Sequence, residues 1–399
     1  MTKLSVVIPA YNEERGIEDI ARRVLAVKEN LKNVGIDELE LLVVDDGSKD
    51  RTAQLAGQIP GVTLVQHTCN RGYGGALKTG FSRASGELIG FLDADGTYPP
   101  EHFPDLCKEA LLGKDMVVGS RMAGADSKMP VTRRIGNFFF AKLLSLLGRQ
   151  NVTDSASGMR VFRKEVLERL YPLPNGLNLT PVMSTRALHE GIRVAEVPIP
   201  YSERVGRSKL SVLRDGRIFL QSIVWTVLMY NPVRIMGLIG LGGLLLAGVV
   251  LAGLIVTRLS GVQTLGPLAI AALYWALVSG VVGISVFALG ATFNYLVSLF
   301  YKQPIQQGLF GKPIFKPSLD YYFGWLGLIG LIFGLVMAVV TLVLGAQGWD
   351  ISRLWLYLLG SAMMILIGAQ LFIYWILMRV LEELSQREAM ATMDLNTKI

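Results

Sequence analysis

Cysteine and histidine are scarce in this sequence of 399 residues, which contains two cysteines and three histidines. Cys69 and Cys107 are too few for a disulfide framework, and we expect reduced, packed thiols rather than a disulfide or a redox pair. His67, His102 and His189 lack the close spacing of metal-ligand pairs. The sequence therefore excludes a disulfide-stabilised scaffold and argues against a zinc site.

Charged residues are absent from four long stretches in the second half of the chain. The segments 235–257, 259–301, 321–349 and 354–378 contain no Asp, Glu, Lys or Arg, and 51% of the whole sequence is hydrophobic. A helix of about 20 apolar residues crosses a bilayer, so each stretch predicts one transmembrane helix. In 259–301, a hairpin of two helices is an alternative to one long helix starting near Pro267. The predicted organisation is a soluble domain over 1–230, an all-α membrane domain over 231–380 and a tail over 381–399. The four predicted spans of the membrane domain are near 235–257, 267–300, 323–345 and 354–378.

The cations between these stretches predict the orientation of the spans. The middle loop carries Lys302, Lys312 and Lys316, whereas the other two loops offer only Arg258 and Arg353. By the positive-inside rule, the soluble domain, the middle loop and the tail face the cytoplasm of a multi-pass membrane protein. The first residues, MTKLSVVIPA, lead into a strand and a proline rather than an apolar signal core, which fits a domain that is not exported.

The net charge of +7 is compatible with nucleic-acid binding and with cytoplasmic cations of a membrane protein. An interleaved pattern of basic and aromatic residues, typical of RNA-binding surfaces, is missing. We therefore expect an anionic lipid surface and phosphate-bearing substrates as partners, and no nucleic acid.

The first 230 residues alternate short apolar runs with segments of helical spacing. The runs are LSVVIPA (4–10), LELLVVDD (39–46), GVTLVQH (61–67) and LIGFLDAD (88–95). This alternation indicates βαβ units and a largely parallel sheet. Ligands of such sheets bind outside the carboxyl ends of the strands. Polar residues follow all four runs: Tyr11, Asn12 and Glu13; Asp45 and Asp46; Asn70 and Arg71; Asp93 and Asp95.

Each polar motif taken alone has a structural alternative. DDGS is often a turn and helix cap, and YNEE is a common helix start. NRGYGG resembles a dinucleotide-binding fingerprint, with Gly72 and Gly74 in place, but Leu77 stands where the third glycine belongs. The sequence therefore argues against a dehydrogenase.

Asp93 and Asp95 lie one residue apart at the end of a buried strand. Two carboxylates at that spacing repel each other unless a cation or hydrogen bonds compensate their charge. Hard oxygen ligands suit Mg²⁺ or Mn²⁺, which keep part of their coordination for substrate phosphates. The pair therefore predicts a divalent metal held against a diphosphate.

Seven motifs in order resemble those of the family 2 glycosyltransferases, and most closely their polyprenyl-phosphate branch, the dolichol-phosphate mannose synthases and related bacterial enzymes. The motifs are VVIPAYNEE, VVDDGSKDRT, NRGYGGALKTG, FLDADGTYPP, VVGSR, SGMRVFRK and RVGRSKL, and they span about residues 3–215. The resemblance implies a GT-A fold, which is an α/β nucleotide-diphospho-sugar transferase fold, and a nucleotide-sugar donor. It also implies inversion at the anomeric carbon and transfer of one sugar to a polyprenyl or dolichyl monophosphate.

The resemblance also implies roles for individual residues on the donor side. Asp93 and Asp95 would hold the metal with Ala94 between them, and Arg204 and Lys209 would lie on a loop closing over the diphosphate. An alternative for that loop is a basic patch attracted to lipid headgroups. The nucleotide pocket would be lined by Pro9, Tyr11, Glu13, Val44, Asp45 and Asp46.

The acceptor side follows from the chemistry of a phosphate monoester. Its second pKa is about 6, so the phosphate is already largely dianionic at neutral pH and requires no strong general base. Cations must instead hold two anions side by side. The candidates are Arg121 and either Arg133 or Arg134, with Asn137 beside them; Arg121 and Arg134 are grouped with Asp93 and Asp95 as catalytic.

The segment 134–148 has one broad apolar face beside cations, which indicates an interfacial helix. An amphipathic core helix is the alternative that periodicity leaves open, and a second interfacial helix is predicted over 212–229. The apolar face comprises Ile135, Phe138, Phe139, Leu143, Leu146 and Leu147, and the cations are Arg134, Lys142 and Arg149.

The chain departs from its relatives in NGLNLTP, where many carry an acid and this sequence has only Asn175 and Asn178. Asp154, before SASGMR, remains as an acid near the acceptor, and it could equally cap a turn. A processive polysaccharide synthase is a competing hypothesis, although its Q-x-x-R-W motif is missing. A nucleotide-sugar-binding transporter or scaffold is another, although the four apolar runs contain no charges that would mark a solute path. The spans are compatible with a homo-oligomer, and UDP-glucose and GDP-mannose are both open as donors.

Overall fold

A computed structural model describes residues 2–123, 128–148, 151–202, 211–261, 266–301, 319–349 and 351–396. The chain divides into two compact units, Met1–Thr226 and Val227–Ile399, which are called the N-terminal and the C-terminal unit. The predicted residues Arg204, Lys209, Lys302, Lys312, Lys316 and Arg149 lie outside the described residues.

The N-terminal unit is built on one seven-stranded sheet with the strand order β3-β2-β1-β4-β6-β5-β7. Every neighbouring pair is parallel except the two pairs that β6 makes with β4 and β5. The sheet is thus mixed, and the prediction of a largely parallel sheet is confirmed. The strands are β1 Lys3–Ala10, β2 Glu38–Asp45, β3 Val62–Gln66, β4 Leu88–Phe91, β5 Met116–Ser120, β6 Arg160–Arg163 and β7 Val194–Pro198.

Helices cover both faces of this sheet, because successive strand side chains point to opposite faces. In β1, Leu4, Val6 and Ile8 pack into one apolar core, while Val7 packs into a second core with Phe81 of the opposite layer. The helices of this unit are α1 Ile17–Ala26, α2 Lys28–Asn33, α3 Thr52–Gly57, α4 Tyr73–Arg83, α5 Phe103–Leu111, α6 Val131–Gly148, α7 Leu167–Leu170, α8 Leu179–His189 and, continuing into the C-terminal unit, α9 Val212–Tyr230.

The C-terminal unit consists of four long helices, α10 Pro232–Leu259, α11 Pro267–Tyr301, α12 Phe323–Ala346 and α13 Ile351–Asn396. Each is long and apolar enough to cross a membrane, so the predicted four spans are confirmed by length and composition. Within the stretch 259–301, residues Pro267–Tyr301 form one long helix, as predicted, and not a hairpin. The last helix continues well beyond the predicted end of its span into the predicted tail.

Glycines bring these helices into close contact. A Cβ added to Gly240 of α10 would lie 2.6 Å from the carbonyl oxygen of Gly283 in α11. A Cβ added to Gly327 of α12 would likewise lie 2.8 Å from the carbonyl oxygen of Gly368 in α13. Small residues at helix crossings are typical of membrane bundles, where close backbone packing holds helices together.

Candidate active site

The carboxyl ends of six strands meet at one edge of the sheet. β4 and β5 are both antiparallel to β6, with Phe91 opposite Arg160 and Val118 also opposite Arg160. The start of β6 therefore lies beside the ends of β4 and β5. The polar residues that follow β1, β2, β3, β4 and β5 consequently share this edge with the segment 154–158, which precedes β6.

The loops after β1 and β2 are fastened to each other by side chains. The amide of Asn12 donates to Ser48 Oγ at 2.9 Å, and the amide of Lys49 donates to Asn12 Oδ1 at 2.8 Å. Asn12 adopts a φ of +51°, a left-handed conformation that asparagine tolerates better than most residues. The amide of Glu13 donates to Thr52 Oγ1 at 2.9 Å. These bonds fix the first side of the predicted nucleotide pocket.

The residues predicted to line that pocket differ in exposure. Pro9 and Val44 face each other in the β1–β2 register and are buried in the sheet. Tyr11 and Glu13 are half-buried at the edge, whereas Asp45 is buried. Of the predicted pocket residues, Tyr11 and Glu13 therefore have surface accessible to a ligand, whereas Pro9 and Val44 contribute paired strand backbone.

Asp46 is buried and bonded to the loop after β3. Its Oδ1 accepts hydrogen bonds from the amide of Arg71 at 2.8 Å, and its Oδ2 accepts one from the amide of Gly72 at 2.9 Å. The Nδ1 atom of His67 lies 2.7 Å from Asp46 Oδ1, and its Nε2 atom lies 2.9 Å from Thr79 Oγ1. Asp46 therefore positions the loop after β3 through hydrogen bonds to its backbone. His67, which the sequence suggested only as a possible metal ligand, instead bonds the Asp46 carboxylate.

The glycine-rich motif after β3, at the start of α4, packs against the backbone of residues 174–175. The amides of Gly74 and Gly75 donate to the carbonyl oxygen of Asn175 at 2.7 and 3.1 Å. A Cβ on Gly74 would lie 2.2 Å from the carbonyl oxygen of Pro174. Because a dinucleotide fingerprint requires these amides to face a pyrophosphate, the structure supplies a physical reason against a dehydrogenase.

Asp93 is held from two sides. The hydroxyl of Tyr73 donates to Asp93 Oδ1 at 2.8 Å, and Gly158 leaves so little room that a Cβ there would lie 2.5 Å from Asp93 Oδ2. Burial, followed by the charge and hydrogen bond of Asp93, raises the pKa of Tyr73 well above its ordinary value, so Tyr73 stays a donor. Gly16, at the start of α1, would place a Cβ 2.8 Å from the carbonyl oxygen of Ala94. The predicted aspartate motif is thus packed tightly on both sides.

Asp95 is buried, and its Oδ1 accepts hydrogen bonds from the Thr97 hydroxyl at 2.6 Å and the Thr97 amide at 3.2 Å. Among the described residues, no three His, Cys, Asp or Glu side chains converge as a complete metal site. Mg²⁺ typically takes one or two carboxylates and completes its coordination with water and substrate phosphates. The carboxylate oxygens of Asp93 and Asp95 fit this type of donor set.

Arg121 follows β5 and forms a bidentate ion pair with Asp154. Its Nε donates to Asp154 Oδ2 at 2.7 Å and its Nη2 to Oδ1 at 2.8 Å, while the rings of Tyr98 and Tyr201 lie 5.6 and 5.4 Å from the guanidinium carbon. Burial alone would raise the pKa of Asp154, but the charge and hydrogen bonds of Arg121 outweigh it and lower that pKa. Asp154 also accepts the amide of Ala156 at 3.2 Å, so it caps a turn as well.

The helix α6 carries the other predicted acceptor residues. Asn137 is buried, and its Oδ1 accepts a hydrogen bond from Ser155 Oγ at 3.3 Å, which links α6 to the segment before β6. Arg134 is exposed and Arg133 is half-buried. The structure therefore connects Asn137 to the edge and places Arg134 on the outer surface of the helix.

The apolar residues of α6 mostly face outward. Ile135, Phe138, Phe139 and Leu146 are exposed, whereas Leu143 is half-buried. An amphipathic core helix would bury its apolar face, so this exposure favours the interfacial alternative. In α9, Ile218, Leu220, Trp225 and Met229 are likewise exposed.

Four further groups that build this edge were not predicted from the sequence: Tyr73, Tyr98, Tyr201 and Arg160. Tyr73, Tyr98 and Arg160 stand inside the quoted motifs NRGYGG, FLDADGTYPP and SGMRVFRK. The amide of Gly158 donates to Tyr98 Oη at 2.7 Å, and Tyr98 packs edge-on against Tyr201. Their presence in these motifs could have marked Tyr73, Tyr98 and Arg160 as candidates. Only the antiparallel direction of β6, which the sequence does not reveal, shows that these side chains lie close together.

Comparison with known proteins gives separate matches for the two parts of the chain. The family profile described as Glycosyl transferase family 2 matches residues 5–171, and one described as Domain of unknown function (DUF8752) matches residues 232–392. A dolichyl-phosphate hexose transferase of Haloferax volcanii is 33% identical over 221 residues, covering 55% of this chain and 92% of that protein. The hexosyltransferase Agl6 of low-salt glycan biosynthesis, from the same organism, is 33% identical over 217 residues, covering 53% of this chain and 51% of that protein.

Among solved structures, the glucosyl-3-phosphoglycerate synthase of Mycobacterium tuberculosis in complex with Mn²⁺, UDP and phosphoglyceric acid is 23% identical. The match covers 57% of this chain and 78% of that chain, with a TM-score of 0.44.

The N-terminal unit is therefore a glycosyltransferase domain of the predicted GT-A class, followed by four apolar helices. With 92% of a relative covered at 33% identity, the chain belongs to glycosyltransferase family 2.

Proposed function

We propose that this glycosyltransferase moves one sugar from a nucleotide-sugar donor, of the UDP-glucose or GDP-mannose type, to a polyprenyl or dolichyl monophosphate, with inversion. One observation carries the proposal: Asp93 and Asp95 follow β4, Arg121 follows β5, and the segment 154–158 contacts both groups at one edge. The name of the relative from Haloferax volcanii, a dolichyl-phosphate hexose transferase, supports the lipid phosphate as acceptor.

The first group of proposed site residues binds the metal and the nucleotide-sugar donor. Asp93 and Asp95 would hold Mg²⁺ or Mn²⁺, which when bound neutralises the charge of the diphosphate leaving group. Tyr11 and Glu13 lie at the donor side with Asp45 and Asp46 behind them, and Arg204 and Lys209 are proposed to contact the diphosphate.

The acceptor phosphate supplies its own nucleophilic oxygen. Arg121, Arg133 or Arg134 and Asn137 are proposed to position that phosphate, since electrostatic stabilisation and positioning are what the reaction needs. Both carboxylate oxygens of Asp154 are bonded to Arg121. Asp154 therefore orients Arg121 rather than accepting a proton.

The C-terminal unit is proposed to anchor the enzyme in the bilayer with the catalytic domain on the cytoplasmic side. Exposed aromatic residues occur near the ends of its helices, as in the aromatic belts of membrane proteins. They include Tyr274 and Trp275 near the start of α11, Trp325 near the start of α12, and Trp349 after its end. The outward apolar face of α6 supports contact with the membrane surface, where the lipid acceptor lies.

The test is a glycolipid assay with the full-length protein in membranes. Membranes are incubated with Mn²⁺, polyprenyl phosphate and radiolabelled UDP-glucose or GDP-mannose, and label extracted into chloroform is measured. We expect Asp95→Ala to lower the rate by about 100-fold or more, because the metal loses a carboxylate ligand. The matched control is Asp105→Ala, which removes an exposed carboxylate bonded only to His102 among the contacts described.

The competing functions give different products. Long polymer in place of a single glycolipid would indicate a processive synthase, and nucleotide-sugar uptake into sealed vesicles without glycolipid would indicate a transporter. An Asp95→Ala rate equal to that of Asp105→Ala would contradict the proposed metal ligand.

A further inference from the structure

Arg160, the first residue of β6, is an arginine without any solvent exposure beneath the candidate active site. Its Nε donates to the carbonyl oxygen of Ser157 at 3.1 Å and its Nη2 to that of Ser155, also at 3.1 Å. Its Nη1 has no hydrogen-bond partner among the described residues. Within the described parts of the chain, this buried guanidinium is therefore bonded to backbone carbonyl oxygens and not to a carboxylate.

Such a group is expensive to bury. Desolvation of an ion costs several kcal/mol unless a partner compensates it. Burial lowers the pKa of Arg160 to about 10, because it outweighs the opposing effect of the nearby charge of Asp154. An apolar side chain of similar volume would fill the same space without this cost. The presence of a cation at this buried position therefore points to a role beyond packing.

The segment that Arg160 holds contacts both halves of the candidate site. At one end, Asp154 pairs with Arg121. At the other end, Gly158 packs against the carboxylate of Asp93 and donates its amide to Tyr98 Oη at 2.7 Å. The two carbonyl groups that accept from Arg160 lie between these ends, so a shift of residues 155–157 would displace both contacts.

We propose that Arg160 is a positioning residue that fixes the separation of Asp93 and Arg121. It does so by holding the backbone of residues 154–158 through its hydrogen bonds to the two carbonyl oxygens described above. The planar guanidinium can bond two carbonyl oxygens of this segment at once, which a lysine ammonium at the end of a flexible chain does not reproduce. The proposal rests on the proposed function, since it assigns Asp93 to the donor side and Arg121 to the acceptor side of the same reaction.

The experiment compares Arg160→Lys and Arg160→Met with the matched variants Arg163→Lys and Arg163→Met in the full-length protein. Arg163 lies at the other end of β6, and its Nη2 also donates to a backbone carbonyl oxygen, that of Ala110, at 3.0 Å. We expect kcat to fall by about 10-fold or more for Arg160→Lys and by about 100-fold for Arg160→Met, because small misplacements at a reacting centre cost this much. The KM values of donor and acceptor should change by less than about threefold, and the Arg163 variants should keep kcat within about twofold of wild type.

A readout without catalysis is hydrogen exchange by mass spectrometry. In Arg160→Lys, amides of the peptide spanning 154–159 should exchange about tenfold faster, since the bonds that the Ala156 amide donates to Asp154 Oδ1 and the Gly158 amide donates to Tyr98 Oη depend on the position of this segment. In Arg163→Lys the same peptide should be unchanged.

A rate for Arg160→Lys equal to that of Arg163→Lys, or unchanged exchange of 154–159, would overturn the proposal. So would an activity loss that disappears when rates are normalised to folded, nucleotide-binding protein. If wild-type protein makes no glycolipid at all, the proposed function fails, while the exchange comparison still decides the role of Arg160.

Discussion

The ion pair between Arg121 and Asp154 makes a strong prediction about stability. The side chain of Asp154 is fully buried and that of Arg121 is only 11% exposed. In Asp154→Asn, the side chain keeps its size but loses its charge, and one of the two guanidinium hydrogen bonds now meets an amide NH₂ group. The buried cation of Arg121 is then left without its compensating charge.

The expected cost follows from this burial. Removing one partner of a buried ion pair typically costs about 3–5 kcal/mol, and because asparagine retains one oxygen we expect about 3 kcal/mol. In a domain of this size, each kcal/mol lowers the melting temperature by about 2–4 °C, so Asp154→Asn should lower it by about 6–12 °C.

The assay is scanning calorimetry of the full-length protein in nanodiscs, with the transition of the N-terminal unit followed. Asp115→Asn is the matched control, because Arg193 donates to Asp115 with the same bidentate geometry, at 2.9 and 2.8 Å, but is 64% exposed. The side chain of Asp115 is itself only 12% exposed, but the largely exposed Arg193 stays hydrated when its partner is lost, so we expect this control to cost clearly less than Asp154→Asn, about 1 kcal/mol. Equal shifts for both variants, or no shift for Asp154→Asn, would refute the reasoning.

The effect of pH on this pair has a definite sign. The pKa of Asp154 is lowered in the folded protein, so its contribution to stability is fully present above the unfolded-state value of about 4 and is lost as pH falls through the folded-state pKa. The difference in melting temperature between wild type and Asp154→Asn should therefore shrink when the pH is lowered below about 4.

Two further predictions concern the site wall and the outer helix. Gly158→Ala should lower kcat by about 10-fold or more, because the new methyl group would lie 2.5 Å from Asp93 Oδ2. The control Gly136→Ala should keep full activity, because a Cβ there meets no atom within 4 Å. Equal activities of the two variants would contradict the packing argument. If α6 lies at the membrane surface, brominated lipids in nanodiscs should quench the tryptophan fluorescence of a Phe138→Trp variant. The fluorescence of a Leu112→Trp variant, at an exposed position after α5, should be unaffected. Equal quenching of the two variants would contradict an interfacial α6.

The parallel half of the sheet was predictable from the sequence, since its strands are apolar runs separated by helical segments. The runs 4–10, 39–46, 61–67 and 88–95 correspond to β1, β2, β3 and β4. The reversal of β6 was not predictable, because its four residues, RVFR, carry no periodicity that reports direction. That reversal is what brings the segment 154–158 to the edge where the parallel strands end.

The site was predictable as a set of strand-end residues, but their bonds to each other were not. Asp93 and Arg121 lie at the predicted edge, yet Tyr73 and Asp154, which hold them, come from a helix start and a loop distant in sequence. Hydrogen bonds of this kind depend on loop geometry, for which residue type gives no signal. Membrane spans were easier to predict, because length and lack of charge suffice.

The bonding of Arg121 also changes which cations can attract a lipid phosphate. In the described structure its charge is compensated by Asp154, so the pair presents little net charge to an approaching dianion. Long-range attraction must then come from other cations, and Arg134 is exposed on α6 beside the outward apolar face formed by Ile135 and Phe138. We infer that, in the proposed reaction, Arg121 would orient the acceptor phosphate at short range, while cations of α6 would draw the headgroup towards the edge. This division follows from the burial of Arg121, which is 11% exposed, and from the exposure of Arg134, whose charge acts through solvent over about a Debye length.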